Sequence, residues 1–299
     1  MELKKLTPKD KELFDRYLRL TEHELSVYAF QNIYIWKGLF DISWKIIEDS
    51  LCVFFKDKIG CFLYIPPQGK HIRPAAVREV FRIMDRYNSN KDISRIENVE
   101  AGELSFYKGL GYDYRYKFSD YICDRQELVD LAGNRFKSKR ACLNYFLKHY
   151  KFRYLPFSLK FKNGCLKLYS LWMKERKDKF KDPIYRTMLE DSRICLKIVL
   201  NHYRKLDFKG RIVKVDNRIK AFSFGFELNK DIFSILYEIT DLSIKGLSQF
   251  IFHSFCSKLK DYRYINVMDD SGLENLKKVK LSYHPVKLVP SYIINRRDG

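Results

Sequence analysis

The chain has 299 residues, of which 46 % are hydrophobic and 16 % aromatic; this suits one large domain or two of about 150 residues each and excludes wholesale disorder. With 57 Lys and Arg against 37 Asp and Glu, the formal net charge is +20, which points to anionic partners: nucleic acid, anionic lipid headgroups or acidic metabolites. The seven cysteines form no CxxC pair, and several sit in apolar runs such as Leu51-Cys52-Val53, so buried thiols are expected rather than disulfides or a metal site.

Taken in chain order, Met1 to Asp10 has no apolar signal core. No later stretch reaches the roughly 18 continuous apolar residues that span a bilayer. A cytoplasmic protein is expected, with any membrane contact peripheral. Thr7 and Pro8 open a helix that carries Leu13, Phe14, Tyr17 and Leu18, and a second short helix is predicted near Ala29 to Trp36. A meander follows, with strands Trp44–Glu48, Leu51–Lys56 and Ile59–Ile65. Next come helix Pro74–Tyr87, strand Ile93–Val99, helix Leu104–Leu110 stopped by Gly111, and strand Tyr112–Ile122. From Leu131 to Lys174 there is no acidic residue, yet there are eleven Lys or Arg. The joint between two halves, 1–130 and 131–299, is placed at the start of this stretch. A long helix, Pro183–Leu206, leads to strands Arg211–Val215, Lys220–Leu228 and Ile232–Ile239. Helix Gly246–Leu259, strand Tyr264–Met268, helix Leu273–Leu281 and strand Val286–Ile294 close the chain.

This last order resembles that of a GNAT-type acyltransferase, and the first half has a compatible one. The fold expected is α/β, with two tandem GNAT-like units. Each is a mixed, mainly antiparallel sheet flanked by helices. Three stretches carry a closer resemblance: Leu131 to Phe146; Ala221 to Leu228 with Tyr237-Glu238 and Gly246 to Gln249; and Tyr264 to Asn266 with Gly272 to Leu288. Together they are similar to the bacterial family grouped with the C-terminal domain of phosphatidylglycerol lysyltransferases, over nearly the whole chain. The resemblance implies a tandem GNAT fold, shared with Fem-type peptidyltransferases. It also implies movement of an amino acid from aminoacyl-tRNA to an amine or hydroxyl acceptor.

The candidate catalytic residues are Lys278, Lys280, Glu238 and His284. In the resemblance, a lysine of a Lys-x-Lys segment lies at the reaction centre, and Lys278 and Lys280 match it. An ammonium there suits a tRNA phosphate or the oxyanion of a tetrahedral intermediate. Glu238, on a central strand, offers the base that aminoacyl transfer needs. His284 is a possible acid or base in a turn, where a structural hydrogen bond is the commoner use. Asp269-Asp270-Ser271-Gly272 reads as a capping turn.

Arg135, Lys137, Lys139, Arg140 and Lys148 are candidates for binding tRNA or phosphate. Lys137, Arg140, Asn144 and Lys148 fall at helical spacing opposite Leu143, Phe146, Leu147 and Tyr150. Such a basic stripe fits phosphates of tRNA or of anionic lipid headgroups. Ile239 to Gly246 stands where acetyl-CoA enzymes of this fold carry a glycine-rich pyrophosphate loop. With one glycine and an aspartate it suits pyrophosphate poorly. The expectation is therefore no cofactor and no metal, with aminoacyl-tRNA as donor substrate and acyl-CoA disfavoured. A CoA-dependent N-acyltransferase and a non-catalytic module binding RNA or anionic membrane are the alternatives.

Overall fold

The computed structural model describes residues 2–297, which form two compact units. The first runs up to Tyr121 and takes in Met268–Lys277 and the chain from Leu288 on. The second is Ile122–Val267 with Lys278–Lys287.

In the first unit Thr7 and Asp10 form a reciprocal capping box, with the Thr7 N–H donating to Asp10 Oδ2 at 2.7 Å. A 3-10 turn begun by Pro8 then leads into α1 (Lys11–Leu18). A two-residue strand β1 (Lys4–Lys5) precedes it, and α2 (Phe30–Ile35) follows. The meander is β2 (Asp41–Ile47), β3 (Ser50–Lys56) and β4 (Cys61–Leu63). Its first turn is Glu48-Asp49, both with positive φ, one residue earlier than the sequence suggests. Helix α3 (Pro74–Tyr87), strand β5 (Ile96–Glu100), helix α4 (Leu104–Gly109) and strand β6 (Tyr112–Asp124) complete this stretch. The core is aromatic, with Phe14 set edge-on to both Phe30 and Trp44.

The second unit starts at the end of β6. Helix α5 (Arg125–Asp130) is capped by Asp124, whose carboxylate accepts from the Glu127 N–H. The acid-free stretch then forms α6 (Lys137–His149), β7 (Phe152–Pro156) and the start of α7 (Lys162–Lys179). Helix α8 (Pro183–His202) precedes β8 (Lys209–Val215), β9 (Arg218–Glu227) and β10 (Ile232–Thr240). Antiparallel pairing joins β7 to β8, β8 to β9 and β9 to β10, so the meander has four strands rather than three. Helix α9 (Leu247–Cys256) crosses to β11 (Tyr264–Asn266), which runs parallel to β10 and antiparallel to β6.

The chain ends with α10 (Glu274–Leu281) and β12 (Lys287–Arg296). In the first unit the strand order is β1-β2-β3-β4-β5-β12-β6, so β12 is an interior strand there. No helix of the described residues is long and apolar enough to cross a membrane.

Candidate functional site

The site is built on β10. Its parallel pairing with β11 covers only Ile232–Ser234 against Tyr264–Asn266, and β10 then runs on to Thr240. The register with β9 slips by one residue between Ile235 and Tyr237, leaving Leu236 as a bulge. This slip decides where the next side chains point. Ile235 packs with Phe252, Phe255 and Cys256 of α9. Tyr237, two residues on, points the other way, and its hydroxyl donates to the Ser192 carbonyl of α8 at 2.7 Å. On a regular strand these two would share a face. The bulge reverses the alternation, so Glu238 faces α9.

Two lysines act on it there through their charges. Lys139 comes from α6 and Lys280 from the last turn of α10. Some of the Glu238 side chain reaches solvent, but protein atoms crowd its carboxyl group. Burial therefore pushes its pKa up to about 8, against the pull of Lys139 and Lys280. Lys139 is held tightly: Nζ donates to Ser282 Oγ at 2.7 Å and sits 3.9 Å from the centre of the Tyr283 ring. Burial lowers the Lys139 pKa, opposed by Glu238. Tyr283 is buried against Phe252, at 4.4 Å between rings, and closes the cluster. Lys280 Nζ also donates to the Val267 carbonyl, just past the end of β11. The result is a carboxyl crowded by protein atoms that lies within the field of two lysine charges.

The other predicted residues are placed differently. Lys278 is exposed, two residues before Lys280 and on another side of α10. His284 has a φ of 53°, its ring stands edge-on to Phe136, and Nε2 lies 3.3 Å from the Arg135 carbonyl. Arg135 pairs with Glu127 at 2.5 Å. Arg140 donates to the carbonyls of Leu131 and Gly133, fastening the turn after α5. Lys137 and Lys148 are exposed. Leu147, expected on the apolar stripe of α6, is 48 % exposed, while Leu143 and Phe146 are buried.

Asp270 does cap its turn, accepting from the Gly272 N–H at 2.9 Å, and it also accepts from the Tyr121 hydroxyl. The parts of the Glu238 cluster not read as such from sequence are Ser282, Tyr283 and the inward aim of Lys139. A signal for the last exists: Lys139, Leu143 and Phe146 follow helical spacing, so Lys139 extends the buried stripe by one turn.

A four-strand meander, a crossing helix, a parallel strand that parts from its neighbour and a bulge beside the parting describe a unit of the GNAT fold. The first unit repeats the antiparallel meander, the helix and the parallel strand, β4 with β5, and the chain has a tandem GNAT fold. The family described as phosphatidylglycerol lysyltransferase, C-terminal, matches residues 18–295, and the chain belongs to it. A conserved protein of unknown function from Bacteroides thetaiotaomicron superposes with a TM-score of 0.88 at 24 % identity, covering 99 % of this chain and 100 % of that one. L-PGS from Bacillus licheniformis gives a TM-score of 0.69 at 16 % identity, covering 100 % and 94 %. A tandem GNAT protein of the clavulanic acid biosynthesis pathway gives 0.52 at 6 %, covering 100 % and 99 %. Comparison with curated protein sequences gives no match.

Proposed function

We propose that the protein moves an amino acid from aminoacyl-tRNA to an amine or hydroxyl acceptor, a lipid headgroup being the acceptor class nearest its family. The observation that carries this reading is Glu238, with its pKa near 8, under the charges of Lys139 and Lys280. In the reaction the acceptor nitrogen or oxygen bonds to the aminoacyl carbonyl carbon, and the bond from that carbon to the tRNA ribose oxygen breaks. Glu238 takes the acceptor proton and then passes it to the departing ribose oxygen, which leaves as the tRNA hydroxyl. A base with a pKa near the working pH serves this step best. The ammonium groups of Lys280 and Lys139 stabilise the oxyanion of the tetrahedral intermediate.

The loop between β10 and α9 supports tRNA over acyl-CoA as donor. The N–H groups of Ser243, Ile244 and Leu247 are taken up inside it by Asp241 Oδ1, the Asp241 carbonyl and the Ile244 carbonyl. A pyrophosphate needs such groups free. Radiolabelled aminoacyl-tRNA incubated with the protein and with extracted lipids or peptides tests the reading. Label should appear in an acceptor, and its absence from every acceptor tried overturns the proposal.

A further inference from the structure

The outer face of α6 carries a stack of three side chains that the Glu238 cluster does not use. The His149 ring lies flat on the Tyr145 ring, with centroids 4.0 Å apart and planes 18° apart. His149 Nδ1 is 2.8 Å from the Tyr145 carbonyl, one turn back, which fixes the imidazole in this orientation. Lys245 Nζ also lies over the Tyr145 ring, at 4.5 Å. Its position is built in: Gly246, the next residue, is pressed so close to α6 that a Cβ there would stand 2.1 Å from the Cys142 carbonyl oxygen.

His149 and Lys245 are exposed. Lys148, three residues after Tyr145, and Lys151 just past the helix are exposed too. None of Lys148, Lys151 and Lys245 has a carboxylate partner among the described residues. Asp241, the acid of the adjoining loop, is held by Lys220 at 2.6 Å.

We infer that this face binds single-stranded RNA, with a base stacking on His149 and phosphates on Lys148, Lys151 and Lys245. The inference rests on the tRNA reading above for RNA rather than DNA. The stack itself argues for nucleic acid over a membrane. Ordered flat rings beside unpaired cations suit bases and phosphates. Exposed Leu147 and Leu242 lie nearby and are what an anionic bilayer would use, so vesicle binding is an arm of the test.

The test is fluorescence anisotropy with a 5′-fluorescein single-stranded RNA 12-mer, read for wild type, His149→Ala, His149→Phe and the double variant Lys148→Ala/Lys245→Ala. One lost stack corresponds to an affinity loss of about fivefold or more. His149→Ala should show that loss, and His149→Phe should restore binding to within about twofold of wild type. Removing two phosphate contacts should flatten the slope of log K against log salt by about 1.4. Unchanged affinity in His149→Ala, or no rescue by phenylalanine, overturns the inference. So does a defect confined to binding of phosphatidylglycerol vesicles. Binding is read without turnover, so the two readings fail separately. RNA held through His149 by a protein that transfers nothing sinks only the transferase. Transfer by a His149→Ala protein with wild-type RNA affinity sinks only this surface.

Discussion

The raised pKa of Glu238 comes from an unequal contest. Desolvation raises its pKa, two lysines lower it, and desolvation wins, leaving the group near 8. If Glu238 is the general base of the proposed transfer, its ionised form is the active one, and the transfer rate should climb with pH through about 8. Glu238→Gln should remove that rise and cost about 10²- to 10⁴-fold in kcat, measured as label transfer across pH. Lys139→Ala removes a charge that favours the carboxylate. It should move the same inflection to higher pH, which separates an electrostatic role for Lys139 from a purely packing one.

Glu103 in the first unit is a contrasting case. Its Oε2 is buried with no hydrogen-bond partner, and burial, with help from Glu100, raises its pKa to about 8. The folded pKa thus lies above the unfolded one. Its stability contribution is full below the ordinary carboxylate range and is lost as pH rises to about 8. Glu103→Gln should therefore stabilise the protein at pH 9 by roughly 1–3 kcal/mol and much less at pH 4, as read by urea denaturation.

At the level of elements, the strongest constraint is the approach of α9 to α6. Gly246 has a φ of 81°, and its Cβ site is blocked by backbone. Gly246→Ala must therefore displace one helix from the other. A loss of several kcal/mol is expected in chemical denaturation, more than the roughly 1 kcal/mol of an ordinary glycine replacement, because strain and overlap act together.

The elements also show what linear reading reaches. Helix α3 is legible in full: Pro74 starts it, and Val77, Val80, Phe81 and Met84 mark its buried face. The turn Asp216-Asn217 is legible as well, since both residues take positive φ. Strand β7 and helix α7 are not. Phe152–Pro156 is a short edge strand with Arg153 and Pro156 in it, and α7 spreads Lys and Arg around most of its surface with little apolar periodicity.

The site divides along the same line. Glu238 and Lys280 stand out by residue type and motif. The bulge at Leu236, which makes Glu238 face Lys139, leaves no mark in sequence because it is a property of pairing with β9. A charge run marks Arg135 and Arg140 as phosphate candidates but does not reveal that Arg135 pairs with Glu127 and Arg140 with backbone carbonyls.

For the whole molecule, the interior position of β12 governs stability. It lies between β5 and β6, pairing with β5 from Ser291 to Ile294. Deleting the chain from Lys287 onward removes a central strand of the first unit and exposes two new sheet edges. The deletion should unfold or aggregate that unit, while the aromatic core around Phe233 and Phe255 in the second keeps its amide protection in hydrogen exchange.

That same strand sets an order of events on the ribosome. The other strands of the first unit emerge early, but the strand that completes its sheet is synthesised only after Ile122–Val267 has been translated. The inner unit can settle while the outer one is still an open, sticky sheet awaiting its missing member. A nascent chain halted within β12 should therefore present chaperones with one nearly complete body and one still open, and it is the unit begun first that finishes last.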